Sequence, residues 1–182
     1  MKTEETILEG ILVITPEVFS DERGFFYESY NADTYNRVGI RDVFVQDNHS
    51  KSVRNTVRGL HFQSEPGQAK LLRVVKGAIF DVAVDIRIGS KTFGRWVGIE
   101  LSAENRKQVY IPVGFAHGFC VVSDEAEVLY KCSSLYNPAT ERTIAWNDPD
   151  IGIDWPVKNP ILSQRDRTGK SLAEYKRGKL EP

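Results

Sequence analysis

Ile79-Phe80-Asp81-Val82-Ala83-Val84-Asp85-Ile86-Arg87 decides the fold class. Phe80, Val82, Val84 and Ile86 recur at every second position, and Asp81 and Asp85 share the other face, which is the period of a strand and not of a helix. Outward from this stretch the pattern repeats. Residues 70–75, 79–86, 96–101, 108–111, 115–122 and 127–133 are short apolar or alternating runs bounded by Gly, Pro, Asn, Asp or Ser. Helical patterning is confined to residues 32–38, a turn around 103–106 and a polar tail near 171–177. Many short strands without βα alternation predict an all-β sandwich or jelly-roll barrel with a few short peripheral helices. No repeat, low-complexity stretch or linker divides the chain, so residues 1–182 read as one domain.

Composition narrows the possible partners. A chain of 182 residues that is 41% hydrophobic can build a real core. Its net charge of −1 supplies no global field toward nucleic acid or an anionic membrane, so any anionic ligand must be held by a local group of Arg and Lys. Met1-Lys2-Thr3-Glu4-Glu5 lacks an apolar signal core, and no apolar run approaches the roughly 18 residues of a membrane span. The expectation is a cytoplasmic protein with no nucleic-acid or membrane partner. Cys120 and Cys132 lie in apolar, strand-like sequence, where buried thiols are expected and a disulfide is not.

The chemistry-bearing stretch is Arg58-Gly59-Leu60-His61-Phe62-Gln63. Strict alternation puts Arg58, Leu60 and Phe62 on one side of a strand and Gly59, His61 and Gln63 on the other. His61 then projects from rigid backbone between two small or polar neighbours. A strand histidine is more often a hydrogen-bonded structural residue, and spacing alone does not make this one catalytic. Lys70 opens the next strand, after the turn signal Glu65-Pro66-Gly67.

Five segments carry a resemblance: Asp21-Glu22-Arg23-Gly24-Phe25-Phe26, Gln46-Asp47-Asn48-His49-Ser50, Arg58 to Gln63, Gly114-Phe115-Ala116-His117-Gly118-Phe119 and Trp146-Asn147-Asp148-Pro149. In order and spacing they resemble the dTDP-4-dehydrorhamnose 3,5-epimerases, from about residue 7 to about residue 170. The resemblance implies a cupin-type jelly roll, usually a homodimer. It also implies inversion of C3 and C5 of a dTDP-linked 4-keto-6-deoxyhexose on the way to activated L-rhamnose, with no metal and no redox cofactor.

Such a reaction needs a base at a carbon next to a ketone and a group that stabilises the enolate. His61 is the base candidate, since an ordinary imidazole pKa near ~6.5 lets it accept a proton at neutral pH. By resemblance Asp166, in Leu162-Ser163-Gln164-Arg165-Asp166, orients it. Lys70 is the cation for the C4 oxygen; without the family match it would read as a solvent-facing lysine at a strand edge. Inversion also needs an acid on the opposite face of the sugar. Tyr130 matches the family's acid, its phenol staying protonated at neutral pH, and the alternative is a core aromatic with its hydroxyl paired to backbone. Asp81 resembles a further active-site carboxylate, and a structural partner for Lys70 or a backbone amide is an equal reading.

Substrate grip falls to another set. Arg23 and Arg58 suit a diphosphate bidentately, and either reads equally as a surface arginine. By resemblance Glu28, Gln46, Asn48 and Glu141 contact the nucleotide or its phosphates, Tyr136 stacks on thymine and His117 lines the sugar pocket. Arg165 stands where the family commonly has a ligand-binding lysine, which keeps the charge and changes the geometry. A metal-dependent cupin oxygenase would need about three converging imidazole or carboxylate ligands. The chain has three histidines, His49, His61 and His117, and no His-x-His pair, because Gln63 follows His61 by two. The other rivals are a single-site epimerase or ketoisomerase on a related sugar, and a non-catalytic sugar-binding cupin, which would have no use for a base, an orienting carboxylate and an opposed phenol together.

Overall fold

The computed structural model describes residues 1–180. Its named strands pair antiparallel throughout, in two large sheets and a hairpin. One sheet has the order β1 (Lys2–Glu5), β2 (Leu12–Thr15), β10 (Gln108–Ile111), β7 (Lys70–Lys76), β12 (Glu125–Cys132) and β5 (Gln46–Val53). The other runs β13 (Glu141–Thr143), β6 (Val57–Gln63), β11 (Phe115–Val121), β8 (Ala78–Asp85) and β9 (Trp96–Ser102). The hairpin joins β3 (Phe19–Asp21) to β4 (Gly24–Phe26). Helices are short: α1 (Ala32–Arg37), α2 (Gln164–Arg167) and α3 (Leu172–Leu180). The all-β jelly roll and the strand positions expected from the alternation are present, with ends that differ by a residue or two.

The two sheets face each other over a shared core. Leu72, Val74, Val109 and Val128 from the larger sheet meet Ile79, Ala83, Leu101, Phe119 and Val121 from the smaller one. Burying each of these side chains other than Ala83 contributes about 1.5–3 kcal/mol. The alternation in β8 has an unexpected orientation. Val82, Val84 and Ile86 point away from this core, into a second apolar layer with Leu60, Phe62, Ile144, Ile151, Trp155 and Leu172. The aspartate face is the barrel interior, and Asp81 and Asp85 are both 0% exposed. A buried carboxylate needs partners. Asp85 has them in Arg87 (Nε 2.9 Å, Nη2 2.8 Å), Ser90 (2.7 Å) and Thr92 (2.6 Å).

The residues after β13 form the cover of the smaller sheet, and their attachment is what matters for the site. Ile161 bridges Thr56, and Lys170 bridges Ile144, so α2 between them is tied to the sheet at both ends. Asp148 accepts from the backbone of Asp150 and Ile151 and from the Leu172 amide at 2.8 Å, satisfying a free N–H at the start of α3. On the other side of the molecule Asn31 caps α1 through Asp33 and Thr34, and Tyr35 packs against Ile14, Leu71 and Tyr110.

The reading of β6 needs one correction. His61 pairs with His117 on β11, but Arg58 pairs with Phe119, so β6 carries an extra residue between them. Gly59 takes it up at φ +128°, where an added Cβ would lie 2.5 Å from the Gly118 Cα. The bulge turns Arg58 to the same side as His61, against the strict alternation expected from sequence. Arg58 donates from Nε to Ser52 Oγ on β5, at 2.9 Å.

Candidate active site

The site forms between the sheets, where β6, β11 and β13 face β5, β7 and β12. His61 leads it from β6. Its Nε2–H donates to Asp166 Oδ1 at 2.5 Å, across 105 residues of sequence. Asp166 is 3% exposed, and its other oxygen accepts from Ser163 Oγ at 2.7 Å. Ser163 is also the N-cap of α2, accepting from the Asp166 amide at 3.2 Å. The Ser-x-x-Asp spacing of a helix start therefore fixes the Asp166 carboxylate beside His61. Burial opposes ionisation of Asp166, but the hydrogen bonds from His61 and Ser163 outweigh it and hold the carboxyl below the usual range. Burial also holds the His61 imidazole below its ordinary value; Asp166 opposes this, and the charges of Arg165 and Lys70 add to it. The ring is thus neutral at pH 7 with its lone pair on Nδ1, and Arg165 Nη2 lies over the ring face, 3.0 Å from Nε2 and 3.3 Å from Nδ1.

Lys70, at the start of β7, is 9% exposed and makes no hydrogen bond or ion pair among the described residues. Burial pushes its ammonium down, while Cys132, Glu141 and Asp81 pull it back up. Tyr130, on β12, projects inward from the opposite sheet to His61, packs on the interior core and is half-buried. No described residue hydrogen-bonds its hydroxyl, and burial raises its pKa, so it stays a proton donor. The reading of Tyr130 as a core tyrosine with its hydroxyl paired to backbone has no partner to support it.

His117 is the direct cross-strand neighbour of His61 and donates from Nε2 to Asp81 Oδ2 at 2.8 Å. Asp81 Oδ1 has no partner among the described residues. Asp81 therefore pairs with His117, and neither Lys70 nor a backbone amide holds it. Asn48 stands opposite Tyr130 in register and Gln46 opposite Cys132. Gln46 accepts from the Tyr136 amide at 2.7 Å and donates to Asn48 at 3.1 Å. Tyr136 is exposed, so its ring is open for stacking, and its hydroxyl donates to Glu141 Oε2 at 3.0 Å. The same oxygen takes Arg165 Nη1 at 2.5 Å.

Two expected residues are not in this cluster. Arg23 sits on the exposed β3–β4 hairpin and pairs with Asp21 at 2.5 Å. Glu28 accepts from Asn31 and Thr34 at the start of α1. Conversely, Gln63 has a role that its place in the motif did not reveal. Its side chain donates to Ser134 Oγ and Leu135 O, both at 3.1 Å, and accepts from the Asn137 amide at 2.9 Å. It holds the loop that presents Tyr136. The available signal was a polar residue on the same strand face as His61. His49 lies on the outer face of β5, paired with Glu127 at 3.0 Å, away from the other two histidines. Among the described residues no three His, Cys, Asp or Glu side chains converge as metal ligands do.

The family model described as dTDP-4-dehydrorhamnose 3,5-epimerase matches residues 5–174. An enzyme of that name from Shigella flexneri is 53% identical over 96% of this chain and 97% of its own. The crystal structure of dTDP-6-deoxy-D-glucose-3,5-epimerase from Legionella pneumophila, in complex with dTDP-4-keto-L-rhamnose, is 48% identical. It superposes with a TM-score of 0.92 over 96% of each chain. A dTDP-4-dehydrorhamnose 3-epimerase from Streptomyces niveus is 45% identical over 96% of this chain and 86% of its own. With a family match that spans nearly its whole length and half its residues shared with such relatives, this chain belongs to the dTDP-4-dehydrorhamnose 3,5-epimerase family.

Proposed function

We propose that the protein inverts C3 and C5 of dTDP-4-dehydro-6-deoxy-D-glucose to give dTDP-4-dehydro-L-rhamnose, by acid–base catalysis through an enolate. One observation carries this reading: the His61–Asp166 pair and the unpartnered Tyr130 hydroxyl sit on the facing sheets of the barrel, with Lys70 close enough to His61 for its charge to act on the imidazole. Asp166 engages Nε2–H, so Nδ1 removes the proton from the carbon next to the ketone. The electron pair moves into the C4 carbonyl, and the oxyanion faces the ammonium of the buried Lys70, whose charge is felt more strongly there than in water. Tyr130 returns a proton to the carbon from the other side, which inverts it. Both carbons flank the same carbonyl, so one enolate chemistry serves twice.

Arg58, Gln46, Asn48, His117, Tyr136, Glu141 and Arg165 then hold the nucleotide, diphosphate and sugar around this centre. The reaction needs no metal or redox cofactor, because the base, the enolate cation and the acid are all side chains. The chain acts as one domain in the cytoplasm, and no described helix is long and apolar enough to cross a membrane. A second copy covers the exposed Phe19, Phe25 and Phe26 of the β3–β4 hairpin, since clustered large apolar side chains in water mark an interface. That homodimer also gives Arg23 and Glu28, which lie outside the cluster, a route to a partner's site.

The deciding experiment is incubation with dTDP-4-keto-6-deoxyglucose in deuterated water, followed by NMR. Solvent deuterium enters at both C3 and C5. Label at one carbon only overturns the double inversion in favour of a single-site epimerase, the activity named for the Streptomyces niveus relative.

A further inference from the structure

Gln63 is buried at the end of β6, two residues beyond His61 and directly opposite Glu141, the first residue of β13. The loop it faces, residues 133–140, joins β12 to β13 and carries Tyr136 in its middle with the ring exposed. Backbone in the middle of such a loop lies outside the ladders, and its polar groups must be met in another way. Three glutamine side chains from separate parts of the chain meet them here. Gln68 donates to Ser134 O at 2.9 Å, Gln46 on β5 accepts from the Tyr136 amide at 2.7 Å, and Gln63 takes the positions on either side of Tyr136. Its Nε2 donates to Leu135 O and Ser134 Oγ, both at 3.1 Å, and its Oε1 accepts from the Asn137 amide at 2.9 Å. A carboxamide carries donor and acceptor on one head, whereas an ionised glutamate would lose Leu135 and a lysine would lose Asn137.

We infer that Gln63 is a positioning residue for nucleotide binding, which sets the Tyr136 loop in its stacking conformation before the ligand arrives. This rests on the reading above in which Tyr136 stacks on the nucleobase. An exposed ring on an unsupported loop has to be ordered at the moment of binding, and that cost comes out of affinity. A loop clamped on both sides of the ring by a buried strand residue is ordered by folding instead. Gln63 shares a strand face with His61, yet every one of its loop contacts leads to Tyr136 and none to the base. Its effect therefore belongs in KM, with kcat untouched.

The test combines dTDP calorimetry, kinetics and amide exchange on Gln63→Met, which keeps the length of the side chain and removes its donor and acceptor. With the unclamped loop in place about a tenth of the time, dTDP binds about tenfold more weakly, KM rises by a similar factor and kcat stays within about twofold. The Asn137 amide, followed by NMR in deuterated water, exchanges at least about tenfold faster in the free variant. Tyr136→Ala weakens dTDP on its own, and adding Gln63→Met to it costs nothing more, because the loop then has no ring to place. Ser134→Ala removes one contact of Gln63 and leaves the strand intact. It gives the same pattern at about threefold, the worth of one neutral hydrogen bond, and decides the matter if Gln63→Met does not fold. Losses that multiply in the double variant overturn the inference, as does unaltered dTDP affinity in Gln63→Met or a fall in kcat at unchanged KM. If Tyr136→Ala binds dTDP as tightly as the wild type, the stacking reading fails instead, and the Asn137 amide still decides whether Gln63 holds the loop.

Discussion

The two His–Asp pairs stand side by side on neighbouring strands, and they are built differently. His117–Asp81 is local to the smaller sheet, one residue on β11 and the other on β8, and it is buried within the barrel. His61–Asp166 joins β6 to a helix from the far end of the chain, and Ser163 clamps the second carboxylate oxygen. Asp166 has both oxygens committed, whereas Asp81 has one oxygen without a partner. The carboxylate with both oxygens engaged is the one held firmly enough to fix a tautomer and an orientation, which is what a base requires. The other pair lies in the barrel interior, where the Asp81 carboxylate adds to the field that acts on Lys70.

The largest expected contrast is between the histidines themselves. His61→Ala abolishes solvent exchange at C3 and C5, a loss of at least the 10² to 10⁴ that a positioned base contributes, while His117→Ala retains measurable exchange at both. Equal loss in the two variants would make the pairs equivalent. Tyr130→Phe tests the wall opposite both. It keeps the ring packing and deletes the acid, so exchange at C5 persists while inverted product falls by about 10². A parallel fall of exchange and inversion would move Tyr130 from proton delivery to binding.

A smaller effect separates the carboxylates. Asp166→Asn lowers exchange by on the order of ten- to a thousandfold, because the base remains but its tautomer is no longer imposed. Ser163→Ala is milder still. It frees one oxygen of Asp166 and removes the cap of α2, worth about 1 kcal/mol of stability, so kcat drops about fivefold with KM little changed. Loss of kcat as large as in Asp166→Asn would mean that the cap alone positions the carboxylate. The smallest effect is in pH. Burial holds His61 below the ordinary 6.5, and the base works only when neutral, so activity persists as pH falls to that value and is lost below it. The acid limb of kcat/KM therefore lies under 6.5, and a limb above it would place His61 in a wetter site than the structure gives it.

Much of this was legible beforehand, for local reasons. The alternation of residues 79–87 announced a strand, and the isolated His61 in a polar strand face was a candidate from its own neighbours. Asp166 came only through resemblance, although the Ser163 to Asp166 spacing of a helix start was present to be read. Arg58 was turned to the wrong face because strict alternation takes no account of a bulge, and Gly59 was the only hint of one. Arg23 and Glu28 were grouped with the site by motif, yet one chain leaves them outside the cluster.

The sequence by itself determined which segments are strands and which side chains can do acid–base chemistry, because period and residue type are properties of neighbours a few positions apart. Only the tertiary structure decided that the aspartate face of β8 looks inward, that Asp166 reaches His61 across 105 residues, and that Arg165 lies over the face of the His61 ring. The physical reason is that a strand with both faces buried carries no label for inside and outside. A contact between distant residues depends on how a closing segment is tied down, here by the bridges at Thr56 and Ile144, and no local preference records that.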